Sequence, residues 1–408
     1  MVCSCEKQED WLLTVPTFTE SALAASATVS DSVKYRLEGI YKVISGTETF
    51  GDTLVIKSIK DKISVFGLKN GVFGITETGI SDGNIILEGY WRQILNSNTG
   101  LLRFSIDASD SLLSTGSGND ILIGGFYGSG SEDPNNQVII KKIVAFTPAL
   151  LADPFYITAH RGGGRTSDCL PYSENSIEMI DYAQYLGATA VEIDVYLTKD
   201  KIPVLSHDGE LNIRIIQQSP LYGNISDYTY DELQTYVRLI HGETIPSLDD
   251  ALRYIVENTS LRLVWLDIKD AESLEKVYPI QQTYINQAIT SNRDLSILIG
   301  VPSDEVLNQL TSLTDYTNIP SACEISPQQS INLNSKIWAY RYTLGYESEN
   351  VAALHQLGIK SMPWTIDDPA YIDKFMSHGG SDTLMRYDGI LSNYPSILAY
   401  YHYVRHNF

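Results

Sequence analysis

From residue 155 onward the chain keeps one rhythm. A short apolar run of strand length is followed by an amphipathic run of helical length, and the pair repeats to the C-terminus. The runs 155–159, 190–197, 203–206, 261–268, 295–301, 322–325, 336–340, 360–365 and 387–391 read as strands. The runs 176–186, 230–239, 247–258, 273–290, 350–357 and 369–377 read as helices, with Ser247 as an N-cap and Gly187 and Gly358 as stop signals. About eight strands alternating with helices over roughly 250 residues predict parallel strands joined by crossovers. That count favours a (β/α)8 TIM barrel over an open doubly wound sheet. Gly162-Gly163-Gly164 follows a strand but lacks the spacing and the immediate helix of a dinucleotide fingerprint.

Before residue 148 the rhythm is different. Runs rich in Val, Ile, Tyr and Phe cover 35–43, 53–60, 62–68, 71–76, 85–94, 101–107, 121–127 and 138–144. Asn70-Gly71, Asp82-Gly83 and Asn98-Thr99-Gly100 separate them as turns. Leu102, Phe104 and Ile106 alternate with Arg103 and Ser105, as in a strand with one wet face. This half reads as an all-β antiparallel barrel or sandwich without a catalytic constellation. The expected plan is two-domain: a flexible tether over 1–32, a β-rich accessory domain over 33–147 and a catalytic domain over 148–408, joined through a linker at 148–154.

A formal net charge of −21 repels polyanions, so no nucleic-acid partner is implied. The same field suits an acidic site that gathers a divalent cation, and it also suits simple solubility. No apolar run approaches the roughly 18 residues a membrane helix needs. The cysteines Cys3, Cys5, Cys169 and Cys323 have neither zinc-site nor disulfide-framework spacing. Val2-Cys3-Ser4-Cys5 resembles the end of a lipoprotein signal. It implies an exported, periplasmic or cell-surface lipoprotein tethered to a membrane through a lipid on Cys5; the alternative is an unstructured tail.

Catalytic groups of a parallel barrel lie at the C-terminal ends of its strands. Here those ends carry His160-Arg161, Glu192 with Asp194, His207-Asp208, Asp267 with Lys269, and Trp364 with Asp367. Glu192 and Asp194 are two apart on one strand and so point the same way, while Val191, Ile193 and Val195 point to the helix layer. Two inward carboxylates repel unless a proton or cation intervenes, and Asp267 makes a third. Three such oxygens suit a hard ion, Mg2+ or Ca2+. His160 and His207, expected on strands one and three, could flank a substrate as acid and base. Arg161 and Lys269 supply the positive charge a phosphate needs, or Arg161 pairs with a structural carboxylate. Trp364 is barrel filling or a substrate wall.

Taken together, His160-Arg161-Gly162, Glu174-Asn175-Ser176, Glu192-Ile193-Asp194, His207-Asp208, Ile245-Pro246-Ser247-Leu248, Asp267-Ile268-Lys269, Pro363-Trp364-Thr365, Asp388-Gly389-Ile390 and Asn393-Tyr394-Pro395 resemble the glycerophosphodiester phosphodiesterase family. The pieces occur in the family's order over roughly residues 155 to 400. The resemblance implies a TIM barrel that hydrolyses a small-molecule glycerophosphodiester to an alcohol and glycerol 3-phosphate with one divalent cation, Mg2+ or Ca2+. It implies metal ligation by Glu192, Asp194 and Asp267, acid/base work by His160 and His207, and phosphate contacts from Arg161 and Lys269. Trp364 is carried over as substrate-binding, and Glu174 as ordering the site around Arg161 or the metal. The chain departs from the pattern at Ser173 (usually Pro), Asp267 (usually Glu), Asp367 (commonly Asn), Ser392 (commonly Thr) and Asn393 (commonly Asp). The loop 210–243 is expected to shape the leaving-group pocket, with Tyr222, Tyr228 and Tyr230 as lining. Two other readings use the same residues: phospholipase D-like release of a cyclic phosphate from lysolipids or sphingolipids, and an inactive barrel whose β domain binds a ligand.

Overall fold

The computed structural model describes residues 14–113 and 119–405. The lipidation expected at Cys5 lies outside the described residues. The described residues divide into two compact units, one mainly of 158–183 and 189–365, the other of 15–113, 119–157, 184–188 and 366–405. The expected boundary at 147/148 follows the change of pattern along the chain. The compact units cut differently, because residues 366–405 cluster with the N-terminal half.

Eight antiparallel strands close into a barrel in sequence order, which decides between barrel and sandwich. They are β1 (Gly39–Ser45), β2 (Thr53–Ile59), β3 (Lys62–Gly67), β4 (Val72–Ser81), β5 (Asn84–Gln93), β6 (Thr99–Asp107), β7 (Leu122–Tyr127) and β8 (Asn136–Val144). Closure comes from β1 pairing with both β2 and β8. It removes the two open edges that a flat sheet of these strands would leave. The alternation predicted on β6 is present: Leu102, Phe104 and Ile106 are buried, whereas Ser105 is exposed. The interior is filled with side chains. Phe50, 1% exposed, stands edge-on to Trp91 and Tyr127 with ring centroids 5.9 and 5.1 Å away. Two expectations fail at the entry to this barrel. The predicted strand at 35–43 begins later, because Asp31–Leu37 is a helix and β1 starts only at Gly39. The predicted tether at 1–32 is fixed in its last part: Ala27 bridges Ile80 and Val29 is buried in the barrel core.

The second sheet runs in the order β16-β15-β14-β13-β12-β10-β9-β17, with β11 (Pro203–Leu205) paired to β10 off this path. Here β9 is Tyr156–Ala159, β10 is Ala190–Leu197, β12 is Leu263–Ile268, β13 is Ser296–Val301, β14 is Ser321–Cys323, β15 is Ile337–Arg341, β16 is Lys360–Trp364 and β17 is Gly389–Ser392. The pairs from β9 through β10 and β12 to β16 are parallel, as crossover helices require. The result is a nearly closed parallel barrel sheet. Helices Ile177–Tyr185, Leu248–Asn258 and Leu274–Thr290 lie in the crossovers, and the Ser247 hydroxyl accepts from Asp250 N as the predicted N-cap. One strand was misassigned. The run 203–206, expected as the third barrel strand, pairs antiparallel with β10, with Val195 opposite Leu205. An apolar run reports burial and length but not direction, so this error is physical.

Candidate active site

The site grows from β9, β10 and β12. Register places Asp194 directly beside Asp267, with Glu192 beside Trp265 one layer below. All three carboxylates project to the interior face. One oxygen from each of Glu192, Asp194 and Asp267 lies within 4.8 Å of the others. The three carboxylates that strand spacing aims at one face thus meet in the structure.

β9 delivers His160 and Arg161 on a tight turn. Arg161 and Gly162 both take positive φ, +53° and +80°, which turns the Arg161 amide back toward β10. That amide donates to Glu192 Oε2 at 2.8 Å, and His160 Nε2 lies 3.7 Å from the same oxygen. Glu192 Oε1 and Asp267 Oδ1 are buried without a hydrogen-bond donor among the described residues. Burial, then the charges of Asp194 and Asp267, pushes the Glu192 carboxyl well above its ordinary range. Asp267 is raised for the same first reason. Asp194 behaves oppositely. Burial raises it, but Lys269 above all, with His207 and His160, outweighs that and holds it low. Lys269 Nζ stands 2.8 Å from Asp194 Oδ1 and also bonds Asp267 Oδ2. One ammonium thus faces three clustered carboxylates, a balance that leaves room for further positive charge.

Glu174 and Arg214 brace the second side. Glu174 accepts from Arg161 Nη1 at 3.1 Å, from the Thr166 amide at 2.8 Å and from Arg214 Nη1 at 2.7 Å. Burial raises this carboxyl, yet the Arg214 hydrogen bond and the charges of Arg161 and Arg214 prevail and hold it below its usual value. Arg214 also donates through Nε to Asp208 Oδ2 at 2.9 Å, and Asp208 Oδ1 bonds His207 Nδ1 at 2.8 Å. Burial again opposes, but bonds from Asn212, His207 and Arg214 hold the Asp208 carboxyl down to about 2. His207, two residues beyond β11, is thereby tied to Arg161 through Asp208, Arg214 and Glu174.

Trp364, on β16, lies under the Arg341 guanidinium, 5.2 Å from ring centroid to Cζ. Its Nε1 is buried without an acceptor among the described residues. In the other unit the departures at 367, 392 and 393 meet in one cluster. Asp367 accepts from Ser392 Oγ at 3.1 Å, Asn393 N at 2.9 Å and Asn393 Nδ2 at 2.7 Å. Arg214 escaped sequence reasoning: it sits in a loop without pattern and carried no signal. Of the tyrosines expected to line a pocket, Tyr228 and Tyr230 pack on the cluster of Val204, Ile225 and Leu233, Tyr230 also borders a cavity of about 270 Å³ with Gln234, Asp250 and Arg253, and Tyr222 is exposed. A cavity of about 520 Å³ is bounded by Tyr196, Asn224, Ser226, Lys269, Ser303 and Glu305, among others.

Residues 160–283 match the model of the Glycerophosphoryl diester phosphodiesterase family. The glycerophosphodiester phosphodiesterase of Caldanaerobacter subterraneus is 24% identical over 252 residues, which cover 59% of this chain and 95% of the relative. YqiK of Bacillus subtilis, an uncharacterised protein, is 31% identical over 250 residues, covering 59% of this chain and 95% of its own length. Among solved structures, a glycerophosphodiester phosphodiesterase from Parabacteroides distasonis is 23% identical with a TM-score of 0.48, over 62% of this chain and 99% of that one.

Proposed function

We infer the activity from one premise: the chain belongs to the glycerophosphoryl diester phosphodiesterase family and is an enzyme of that kind. The reaction is hydrolysis of a small glycerophosphodiester to an alcohol and glycerol 3-phosphate, on the nearly closed parallel barrel sheet. The observation that carries the reading is the carboxylate cluster with bare oxygens on Glu192 and Asp267.

Those donors fit a hard divalent cation. They are oxygens only, they converge, and Glu192 Oε1 and Asp267 Oδ1 are buried with no partner among the described residues. Glu192, Asp194 and Asp267 would hold Mg2+ or Ca2+. Such an ion, when bound, polarises a phosphoryl oxygen and lowers the pKa of an attacking hydroxyl. The chain's own groups do the rest. Arg161 and Lys269 offset the charge on the phosphate oxygens, and the Trp364 indole N–H offers one more donor. Both Glu174 oxygens are taken by protein donors, so Glu174 positions Arg161 rather than meeting the substrate. Asp208 holds His207 through Nδ1, which leaves Nε2 for the proton transfer. His160 and His207 divide the proton transfers. One removes the proton from the glycerol 2-hydroxyl as that oxygen attacks phosphorus. The other protonates the alcohol oxygen as its P–O bond breaks. Water then opens the cyclic phosphate with the two roles exchanged.

The test is incubation with glycerophosphocholine and glycerophosphoinositol in EDTA, followed by restoration of Mg2+ or Ca2+. Release of glycerol 3-phosphate that stops with EDTA and returns with one ion supports the reading. No release with any divalent ion would overturn it. A cyclic phosphate that accumulates, seen by phosphorus NMR, would replace hydrolysis with the phospholipase D-like reaction.

A further inference from the structure

We propose that Glu243 is a positioning residue for the reaction and acts on the site through Ser173. The inference rests on the reading above, in which Arg161 meets the phosphate and Glu174 holds Arg161.

Three consecutive residues each make one attachment. Asn175 is bonded twice to Asp194, and Glu174 holds Arg161 and Arg214. Ser173 is held by Glu243. The Ser173 amide donates to Glu243 Oε1 at 3.0 Å, and the Ser173 hydroxyl donates to Glu243 Oε2 at 2.6 Å. The His241 amide donates to the same hydroxyl at 3.0 Å. One carboxylate thereby clamps both the main chain and the side chain of Ser173, which is only 2% exposed. Proline at 173 would supply neither donor. The peptide units from 173 to 175 are planar and of fixed length, so a shift of Ser173 passes to Glu174 and Asn175.

The turn that carries Glu243 is closed by its own backbone. The Leu239 amide donates to Glu243 O at 2.8 Å, and the Gly242 amide donates to Leu239 O at 2.9 Å. Gly242 takes φ +101°, a conformation that a side chain would strain. The turn follows a short antiparallel pairing of Ile216–Gln218 with Arg238–Leu239, in which Ile216 faces Leu239. Continued by two residues, that register brings Arg214 level with His241. The two arms of the excursion 209–246 therefore grip neighbouring residues. Arg214 holds the Glu174 carboxylate at 2.7 Å, and Glu243 holds the backbone next to the one from which that carboxylate extends. Arg161 is aimed by Glu174, so both grips serve the same guanidinium.

The experiment measures kcat and KM for glycerophosphocholine, with Mg2+ or Ca2+ in excess, on the full chain. It compares wild type, Glu243→Ala, Glu243→Gln, Ser173→Ala and the double variant Ser173→Ala/Glu243→Ala, with circular dichroism alongside. Glu243→Ala is expected to lower kcat by about 10- to 100-fold with KM within about threefold. The phosphate still finds Lys269, while Arg161 is misaimed as charge moves onto the phosphoryl oxygens. Glu243→Gln keeps both contacts, because the Ser173 hydroxyl can accept from the new amide, and should stay within about threefold of wild type. The double variant should be no more than about twofold slower than Glu243→Ala, since the clamp is already open. A kcat for Glu243→Ala within about twofold of wild type, a glutamine variant as slow as the alanine, or losses that multiply in the double variant would each overturn the proposal and leave the activity standing. A rise in KM at unchanged kcat would also overturn it, by making Glu243 a substrate contact. Should Glu243→Ala fail to fold, Ser173→Ala and Glu243→Gln decide by the same criteria. A wild type that releases no choline with either ion would overturn the activity reading, and this proposal with it.

Discussion

Asn175 and Asp194 are joined twice: the amide Nδ2 donates to Asp194 Oδ2 at 2.7 Å, and Asn175 Oδ1 accepts from the Asp194 amide at 3.1 Å. One side chain thereby occupies one carboxylate oxygen and leaves Oδ1 turned to Lys269. Asn175 itself holds φ +61°, a conformation its short amide tolerates better than most side chains. Asn175→Ala should destabilise the protein by about 2–4 kcal/mol, since it strips partners from two buried groups and strains the backbone. Urea denaturation checks this, and a loss under about 0.5 kcal/mol would contradict it.

Removal of either histidine should leave the fold and stop the chemistry. His160→Ala and His207→Ala are each expected to lower kcat/KM by about 10²–10⁴ with an unchanged circular dichroism spectrum. Choline release from glycerophosphocholine is the readout, and retention of a tenth of wild-type activity would remove that residue from the mechanism.

Arg214→Ala should slow turnover by about 10- to 100-fold without touching substrate, because Asp208 and Glu174 each lose a donor and His207 and Arg161 lose their bracing. Arg214→Lys should rescue little of it, since one ammonium cannot span two carboxylates as a guanidinium does. Full activity in the lysine variant would show that charge alone suffices.

Stability in EDTA should follow pH with two opposite slopes. Asp208 and Glu174 have lowered folded-state values, so the stability they contribute is present above the ordinary carboxylate range and is lost as pH falls, through about 2 in the case of Asp208. Glu192, Asp267 and Glu324 are raised, so the folded state holds protons that the unfolded chain releases. Their contribution is present below the ordinary range and is lost as pH climbs through the raised values. Melting temperature should therefore rise from acid to about pH 4.5 and decline beyond it. Excess Ca2+ should flatten the decline, and a decline of equal size with and without the ion would refute the link.

In the accessory barrel, Phe50→Ala should cost about 3–5 kcal/mol, since the ring fills space between Trp91 and Tyr127 that no neighbour can take up. A calorimetric scan measures it. A loss below 1 kcal/mol would mean that the barrel collapses onto the gap.

The sequence made the carboxylate cluster legible because strand alternation alone aims Glu192 and Asp194 the same way, and because the crossover rhythm sets a third strand beside them. It made the closed antiparallel barrel legible as strands and turns but left closure open, since closure depends on the pairing of β1 with β8 across about 90 residues of chain. Arg214 was invisible for a similar reason: its partners are 6 and 40 positions away in a loop without period. The departures at 367 and 393 looked independent in the sequence. In space they meet: Asn393 Nδ2 donates to Asp367 Oδ2 at 2.7 Å. An amide there can donate to the carboxylate, whereas a second carboxylate would repel it.

The antiparallel pairing of Pro203–Leu205 with β10 gives the second histidine an unusual mount. His207 does not ride on a strand locked between two parallel neighbours; it stands at the root of the long excursion 209–246, whose Arg214 steadies Asp208. On the proposed mechanism, whatever reshapes that excursion also acts, through Arg214 and Asp208, on the histidine proposed to move the proton. The carboxylates of β10 and β12, by contrast, stay fixed in the sheet.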